Sequence, residues 1–557
     1  MFNLFNILKE RKNKKKDIRG INKKVKKIKK DNQHNNKKIK KIKKDNEHYN
    51  EDNNKKYTKI MNISKINKQK LISNNEDNNK KYTKIMNISK INKQKLISNN
   101  VKTGVIITTH GFYGVFARQC LESFIRELPK NHFIVLFINE SQDEITLDLI
   151  KKYKDNKKIK IIYNKNQEEI GGLTGTWNKG IDLCLENNCD VIILSNDDIL
   201  FDKSINNILW SCYEERDEIK YFGPLSNNPG PKNCPINMCQ YSIKPLLHNN
   251  RKALYKEDPC NLNGFFMVFS RKVLQINKFD NNLYFDPSYP FGGNETEWFD
   301  RFKNIGGLPI IVPQTFIYHY KIARWRENNI INNTCIYTIN TGSYEGENIN
   351  HYKSTIDTLY YTDNFKTIYK CINKGLLPFY INTKGKEFKL VQRTIKTNPT
   401  EYLPFKYEKS VYVDGNINII NYGLLKNYIG KLNLYDIICF EHPKRNLVKD
   451  EAKIVIIKKL EKQDNVNRIL NEFNSINFKD DIGLTETGFL IRNHKKIKEF
   501  NEDWCRCINI CRRDQISFDY LLFKHNIKYK RFSDNIKKII FKWIQHINPI
   551  NRNIKNI

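Results

Sequence analysis

The sequence has no run of apolar residues that reaches the roughly 18 needed to cross a membrane as a helix, and it does not open with the charged and apolar segments of a secretion signal. Its 13 cysteines are odd in number and follow no regular spacing, which argues against the disulfide framework of a secreted protein. We therefore expect a soluble, cytoplasmic protein with free thiols and no transmembrane segment. At 557 residues the chain is too long for one ordinary hydrophobic core, so two or three domains are expected.

Acidic residues are scarce at the N-terminal end. Residues 1–100 contain 31 Lys or Arg and only 9 Asp or Glu, and Asn50–Asn74 is repeated without change as Asn75–Asn99. Such a low-complexity basic tail is expected to be disordered, loosely helical or a short coiled coil. Its lysines suit contact with polyanions, but an AT-rich coding sequence would give the same composition. Motifs and interleaved aromatic residues for specific nucleic-acid recognition are missing, so no specific nucleic-acid partner is expected.

From Gly104 onward, short apolar runs alternate with amphipathic segments. The predicted strands are Val105–Thr109, Phe133–Asn139, Lys160–Tyr163 and Val191–Ser195. The predicted helices are Tyr113–Leu128, Asp143–Tyr153 and Leu173–Glu186. This alternation predicts an α/β, Rossmann-like fold with a mainly parallel sheet. In such sheets a ligand binds at the carboxyl ends of the strands.

Two acidic motifs stand out against this pattern. The apolar strand Val191–Ser195 leads directly into Asn196-Asp-Asp198, and paired carboxylates at the end of a buried strand are suited to a divalent cation. Glu295 and Glu297, with Arg301 following, come about a hundred residues later. Each motif alone also has an ordinary explanation, since Asn-Asp-Asp is common in turns and Glu297 with Arg301 has the spacing of a helical ion pair.

Between about 102 and 330 the chain resembles the family 2-like glycosyltransferases of the GT-A fold. The features that carry this resemblance occur in the order of that family: Val105–Thr109, Asn139–Asp143, Gly171-Gly172, Asn178–Gly180, Ser195–Asp198, Asn263–Arg271, Phe279-Asp280, Phe285-Asp286, Glu295–Glu297, Arg301, Gly306 and His319. The resemblance implies transfer of a sugar from a nucleotide-sugar donor to a glycan or protein acceptor. It also implies a divalent metal, Mn²⁺ or Mg²⁺, as cofactor.

The resemblance assigns roles to individual residues of the first domain. Asp198 and His319 would hold the metal. Glu295 would be the general base of an inverting displacement, and Glu297 would orient the base or the acceptor. The donor would be bound by Thr108, Asn139, Asp143, Gly172, Asn178, Asn196 and Asp197. The family commonly has Asp where this chain has Asn196 and Glu295, which puts the metal motif and the geometry of the base in question.

Residues 354–545 resemble a second family, the glycosyltransferase-like domain of plant mucilage and pollen proteins. The resemblance is carried by Val411–Asn416, Phe440–Pro443, Asp450–Ala452, Gly483–Glu486, Ile491-Arg492, Trp504 and Arg512–Phe518. Here Asp414 would be a metal ligand, Arg492 or Arg513 would hold a diphosphate, and Asp514 would be a catalytic or acceptor-binding carboxylate. An ordinary turn at Asp414 and an ordinary Arg–Asp ion pair remain as alternatives.

These features predict two GT-A-like domains behind the tail. The expected boundaries are a tail at 1–100, a family 2-like domain at 102–330, a linker at 331–353, a second glycosyltransferase-like domain at 354–545 and a C-terminal tail at 546–557. One or both domains would be active, or the second would dock the acceptor; the alternative is a non-catalytic carbohydrate- or polyanion-binding protein. The repeats and the composition resemble proteins of large DNA viruses, which would place the protein in a host cytoplasm or a virion.

Overall fold

The computed structural model describes residues 101–110, 114–140, 144–227, 262–280, 282–320, 333–342, 349, 355–404 and 407–544. The predicted N-terminal and C-terminal tails and most of the predicted linker lie outside these ranges. The described residues belong to one compact unit, Lys93–Ile557, which contains two large sheets. None of the helices in these ranges has the length and apolar character that a membrane crossing requires.

The first sheet has eight strands. They are β1 (Thr103–His110), β2 (His132–Asn139), β3 (Ile159–Asn164), β4 (Val191–Asn196), β5 (Ile199–Phe201), β6 (Lys220–Ser226), β7 (Phe266–Ser270) and β8 (Leu308–His319). Their order across the sheet is β3-β2-β1-β4-β7-β6-β8-β5. The first four are parallel, and β7 is antiparallel to both of its neighbours. The central strands are buried on both faces, which is why they read as continuous apolar runs.

Among the described residues, six α-helices accompany this sheet. They are α1 (Gly114–Glu127), α2 (Glu144–Tyr153), α3 (Gly172–Glu186), α4 (Ile205–Glu214), α5 (Arg271–Ile276) and α6 (Asn294–Asn304). Every strand and helix predicted between 105 and 195 is present within a few residues of its expected bounds. The predicted α/β fold is therefore confirmed.

The second sheet has seven strands in the order β11-β10-β9-β12-β15-β14-β16, and a separate small sheet pairs β13 with β17. The strands are β9 (Thr334–Asn340), β10 (Asp357–Thr362), β11 (Leu377–Tyr380), β12 (Lys409–Val413), β13 (Ile417–Ile419), β14 (Ile437–Glu441), β15 (Thr485–Asn493), β16 (Tyr529–Phe532) and β17 (Phe541–Trp543). The helices are α7 (Phe365–Asn373), α8 (Phe388–Thr397), α9 (Tyr422–Gly430), α10 (Val448–Ile457), α11 (Gln463–Ser475), α12 (Lys498–Ile510), α13 (Asp514–Lys524) and α14 (Asp534–Ile540).

One part of the predicted linker is a strand. Residues Thr334–Asn340 form β9, which is buried along its whole length and pairs with β10 on one side and β12 on the other. The prediction of a linker was wrong for these residues, because the polar residues on both sides of this short apolar segment concealed it in the sequence. The second sheet therefore begins before residue 354.

The two sheets share one topology. When β5 and β13 are set aside, each sheet has its strands in the order third, second, first, fourth, sixth, fifth, seventh along the chain. In each, the first four strands are parallel, the sixth is antiparallel to both neighbours, and the fifth and seventh are parallel. Each fourth strand is followed by a short strand, β5 or β13. The chain thus contains two copies of one arrangement.

The two sheets are also in direct contact. The edge strand β11 packs against α1, where the backbone amide of Tyr380 donates a hydrogen bond of 2.9 Å to Oε1 of Gln119. Tyr320, the residue after β8, donates its hydroxyl to the carbonyl of Pro378 and stacks on Phe379 with ring centroids 5.2 Å apart. Buried side chains of both sheets belong to one continuous apolar cluster. The copies therefore share a core.

Candidate active site

Polar side chains meet at the carboxyl edge of the first sheet. The pairing of β1 with β4 places Thr108 opposite Asn196, and the pairing of β1 with β2 places His110 opposite Asn139. Oγ1 of Thr108 and Nδ2 of Asn139 are buried and have no hydrogen-bond partner among the described residues. Because buried polar groups are normally paired, these two atoms are candidates for contact with a bound ligand.

The two metal ligands predicted in the first domain lie side by side. After β4 the chain passes through Asp197 and Asp198 into β5, whose first residue, Ile199, pairs with His319 at the end of β8. Nε2 of His319 is 3.3 Å from Oδ1 of Asp198, and the two residues are only 7% and 4% exposed. The ring of His319 stacks on Phe265 with centroids 4.7 Å apart. The sheet thus holds a carboxylate and an imidazole next to each other in a position with little access to solvent.

This pair fits a divalent metal in its chemistry. Manganese accepts both carboxylate oxygen and imidazole nitrogen as ligands. Within the described residues, no group of three or more His, Cys, Asp or Glu side chains is arranged to hold a metal ion. Asp198 and His319 would therefore leave the remaining coordination positions to oxygens of a bound ligand or water.

Glu295 lies at the start of α6. Asn294, the first residue of this helix, is buried and donates a hydrogen bond of 3.0 Å to Oγ1 of Thr174. The Glu295 carboxylate has no hydrogen bond or ion pair among the described residues, and a Cβ placed on Gly264 would lie 3.2 Å from its Cδ. Since Gly264 precedes Phe265 in the chain, Glu295 and His319 pack against the same short segment. Glu295 is thus an unengaged carboxylate near the predicted metal ligands.

The position of α6 is fixed by an aromatic cluster. Trp298, one turn after Glu295, is completely buried. Its ring centroid is 5.1 Å from that of Tyr221 and 5.0 Å from that of Phe269. Burial of such a side chain stabilises the fold by roughly 1.5–3 kcal/mol, so rotation of α6 away from the edge is costly.

Glu297 has a structural role. Its carboxylate pairs with Arg301 four residues later, at 3.1 Å between Oε2 and Nη2. The same guanidinium donates to the carbonyls of Asn277 at 2.8 Å and Tyr284 at 2.9 Å. The geometry supports the alternative of a helical ion pair, here one that also anchors two loops, and does not support the predicted role of orienting the base or acceptor.

Two residues predicted to bind the donor also support loops. Asn178 is buried, its Nδ2 donates to the carbonyl of Phe285 at 2.9 Å, and its Oδ1 accepts from the amides of Tyr284 and Phe285 at 3.0 and 2.9 Å. Gly172 has a positive φ of 69°, and a Cβ there would lie 2.5 Å from the carbonyl of Pro290. Both support the loop before α6, and their predicted donor contacts stay predictions. Asp143 lies outside the described residues.

Sequence reasoning missed the pair formed by His110 and Glu140. Nε2 of His110 is 3.2 Å from Oε2 of Glu140, and the two side chains are 37% and 42% exposed. Glu140 has a left-handed backbone, with φ of 63°, and its Oε1 accepts from the amide of Gln167 at 3.3 Å. The available signal was position, because both residues stand at the ends of adjacent parallel strands.

The equivalent edge of the second sheet has an acidic pair with a lysine between the two acids. Lys396, on α8, hydrogen-bonds Oδ2 of Asp514, and its Nζ is 4.0 Å from Oδ1 of Asp414. Nη1 of Arg393 donates to Oδ1 of Asp514 at 2.6 Å. Burial would raise the pKa of the Asp514 carboxyl, but the charges of Lys396 and Arg393 outweigh burial and hold that pKa well below its ordinary value. Asp514 is therefore an ion-pair partner, and its predicted catalytic or acceptor-binding role is not supported.

Arg492 cannot receive a diphosphate in this arrangement. It is completely buried on β15, where Nη2 donates to the carbonyl of Lys396 at 2.7 Å and to the hydroxyl of Tyr337, and Nη1 donates to Oδ1 of Asn501 at 3.2 Å. Arg513 differs, since its side chain is 24% exposed and its Nη2 lies 3.6 Å from Oε1 of Glu451. Of the two predicted diphosphate contacts, only Arg513 remains accessible.

A histidine near this edge should make stability depend on pH. Burial first, then the charges of Arg445, Lys537 and Lys444, lower the pKa of His442 to about 4, and its Nδ1 accepts from the amides of Lys444 and Arg445 at 3.2 and 3.1 Å. The unfolded chain, with a histidine pKa of about 6.5, takes up this proton first. Stability is therefore complete above about pH 6.5 and falls as the pH drops toward 4.

The substitution His442→Asn should remove this part of the pH dependence. The amide oxygen can replace Nδ1 as acceptor but does not titrate. We expect the wild type to lose about 1–2 kcal/mol more than the variant between pH 7 and 4.5, after allowing for solvent screening. Urea unfolding at both pH values measures the difference, and equal losses in the two proteins would contradict the interpretation.

The comparison with solved structures gives a mannosyltransferase and TarS. No family model and no curated protein matches the sequence. The mannosyltransferase PcManGT from Pyrobaculum calidifontis, solved with GDP-Man and Mn²⁺, is 12% identical with a TM-score of 0.30, over 41% of this chain and 61% of that one. S. aureus TarS is 13% identical with a TM-score of 0.30, over 39% and 36%, and TarS 1-349 with UDP is 15% identical with a TM-score of 0.28, over 39% and 60%. The chain thus spans less than two thirds of each of these structures.

Proposed function

We propose that the first sheet carries the active site of a glycosyltransferase that moves a sugar from a nucleotide-sugar donor to a glycan or protein acceptor. The observation that carries the proposal is the buried pair of Asp198 and His319, 3.3 Å apart at the carboxyl edge of the sheet, with the unengaged carboxylate of Glu295 packed against the same segment. A site with two such elements can hold a charged leaving group and accept a proton.

The donor is proposed to bind across the ends of the parallel strands. This is the edge where open α/β sheets bind their ligands. Thr108 and Asn139 present buried polar atoms there that lack partners among the described residues, and His110 with Glu140 presents partly exposed polar groups beside them. These groups can hydrogen-bond a nucleoside. The preference of the site for one nucleoside over another then depends on how many of these groups that nucleoside can pair.

Asp198 and His319 would hold Mn²⁺ or Mg²⁺, which when bound stabilises negative charge on a diphosphate leaving group. Glu295 is proposed to take the proton from the acceptor hydroxyl, since its carboxylate is not committed to a cation. The acceptor oxygen would attack the anomeric carbon from the face opposite the leaving group, and this single displacement inverts the anomeric configuration. Glu297 and Arg301 would contribute by holding the loops at Asn277 and Tyr284.

We also propose a reducing compartment, such as the cytoplasm, for this protein. The cysteines that the structure describes are free thiols, and nearly all of them are buried. Thiols packed in this way behave as small apolar side chains. Contact of the basic tail with polyanions stays a prediction from its composition.

Release of nucleoside diphosphate tests the proposed activity. A panel of UDP-, GDP- and dTDP-sugars would be incubated with the full chain and Mn²⁺, with and without EDTA. We expect metal-dependent release from at least one donor, reduced at least about 100-fold in Asp198→Asn because a ligand to the cofactor is lost. Asp148→Asn is the matched control, since that carboxylate is 71% exposed on α2. A folded protein that neither releases nucleotide nor binds it with metal would reject the proposal in favour of a non-catalytic binding protein.

A further inference from the structure

The shared topology allows the two sheet edges to be compared position by position. In the first copy Asp198 is the residue immediately before the short strand β5, and in the second copy Asn416 is the residue immediately before β13. The first residue of each short strand also has a defined partner: Ile199 pairs with His319, and Ile417 pairs with Trp543. The second copy therefore has an amide and an indole where the first has the carboxylate and imidazole of the proposed metal site.

The acid at the start of the helix that precedes the seventh strand also differs between the copies. Between its sixth and seventh strands each copy has two helices, α5 and α6 in the first and α12 and α13 in the second. Glu295 is in the first turn of α6, and Asp514 is the first residue of α13. Glu295 is unengaged among the described residues, whereas Asp514 is bound by Lys396, Arg393 and Thr487. The second copy thus lacks an available base at this position.

The Lys396 ammonium fills the space between the acids of the second copy. It bonds Oδ2 of Asp514, lies 3.3 Å from Oγ1 of Thr487 and 4.0 Å from Oδ1 of Asp414, and sits 4.8 Å from the ring centroid of Tyr412. The residue is only 5% exposed. A buried lysine needs paired negative charge, and these two carboxylates supply it. A divalent cation would have to displace the ammonium or lie beside it at the cost of strong repulsion.

We propose that the second copy does not bind a divalent metal, because the Lys396 ammonium takes the place of one between Asp414 and Asp514. This inference rests on the proposed function of the first copy. The positions equivalent to its metal ligands hold Asn416 and Trp543 in the second copy, and the neighbouring acids Asp414 and Asp514 lie on either side of Lys396. The chain then has one metal-dependent transferase site, and the second copy is not a second metal-dependent transferase. Its described contacts with the first copy include those with α1 and with Tyr320 beside the first site.

Titration of the full chain with Mn²⁺, followed by electron paramagnetic resonance of the free ion, tests this inference. We expect the wild type and Asp414→Asn to bind the same number of ions, because the inference leaves no ion at Asp414, whose Oδ1 accepts a hydrogen bond from Tyr412 and lies 4.0 Å from the Lys396 ammonium. Loss of bound Mn²⁺ in Asp414→Asn would overturn the inference. The proposed function is tested separately in the same experiment, because it requires that Asp198→Asn lose bound Mn²⁺.

A second variant tests directly whether the Lys396 ammonium occupies the place of a metal ion. In the Asp198→Asn background, Lys396→Met removes the ammonium between Asp414 and Asp514, while Arg393 keeps its bond to Oδ1 of Asp514. We expect this protein to gain a Mn²⁺ site and to have a Tm that rises with millimolar Mn²⁺, while the Asp198→Asn parent shows neither change. A folded Lys396→Met protein without the gain would overturn the inference. If this variant does not fold, the comparison of wild type with Asp414→Asn decides.

Discussion

Glu295→Gln is expected to lower kcat by about 100-fold to 10,000-fold, the range for loss of a general base, while leaving donor binding unchanged. Glutamine keeps the size of the side chain and its place at the start of α6, but it cannot take a proton from the acceptor hydroxyl. Because the Glu295 carboxylate has no partner among the described residues, its replacement should not disturb the fold. Initial rates at saturating donor give kcat, and titration with the nucleoside diphosphate gives Kd.

Asp300→Asn is the matched control for this experiment. Asp300 lies on the same helix and is exposed, so its amide variant should keep kcat within about twofold of the wild type, as surface substitutions usually do. Wild-type turnover in Glu295→Gln would reject the general-base role. A rise in Kd with unchanged kcat would instead place Glu295 in the donor pocket.

Arg492→Met is expected to lower the free energy of unfolding by about 3–5 kcal/mol. The guanidinium satisfies the carbonyl of Lys396, the amide oxygen of Asn501 and the hydroxyl of Tyr337, and all of these are buried. Each acceptor left without a donor costs about 1–3 kcal/mol, and methionine fills only part of the space. Urea unfolding gives the change in midpoint and slope.

Arg468→Met provides the comparison for Arg492→Met, because Arg468 is exposed on α11 and its loss should change stability by no more than about 0.5 kcal/mol. The two interpretations of Arg492 predict opposite results. A diphosphate contact predicts a higher KM for the donor with little loss of stability, and a core residue predicts lower stability with unchanged KM. An Arg492→Met protein as stable as the wild type would contradict the buried network.

Local patterns were sufficient for the elements of the first sheet but not for the roles of the side chains. Val105–Thr109 and Val191–Ser195 are apolar runs bounded by polar residues, and the strands they predicted are present. The pattern around Asn178 predicted the helix correctly, but the Asn178 side chain hydrogen-bonds the loop at 284–285. Orientation of that kind is decided by contacts with residues far along the chain, which periodicity does not contain.

The carboxyl edge of the second sheet shows even more strongly that sequence patterns do not contain long-range contacts. Asp414 and Asp514 were visible as acidic motifs, but nothing in the sequence marks Lys396 among the many lysines of this chain. It reaches Asp514 only because the fold brings α8 close to the start of α13, 118 positions apart in sequence. Strand β9 was missed for a related reason, since a short apolar strand between polar segments becomes recognisable only when its two neighbours are known.

The pairing of β5 with β8 has a consequence for how this gene can change in length. Successive side chains along a strand point to opposite faces. Between Phe316 and His319, where β8 pairs regularly with β6 and β5 after an irregularity in its register, deleting or inserting one residue would therefore turn His319 away from Asp198 even though both residues were kept. Segments outside the strands carry no such restriction. Natural variants of this protein should therefore differ in loop length, while the number of residues from Phe316 to His319 stays constant.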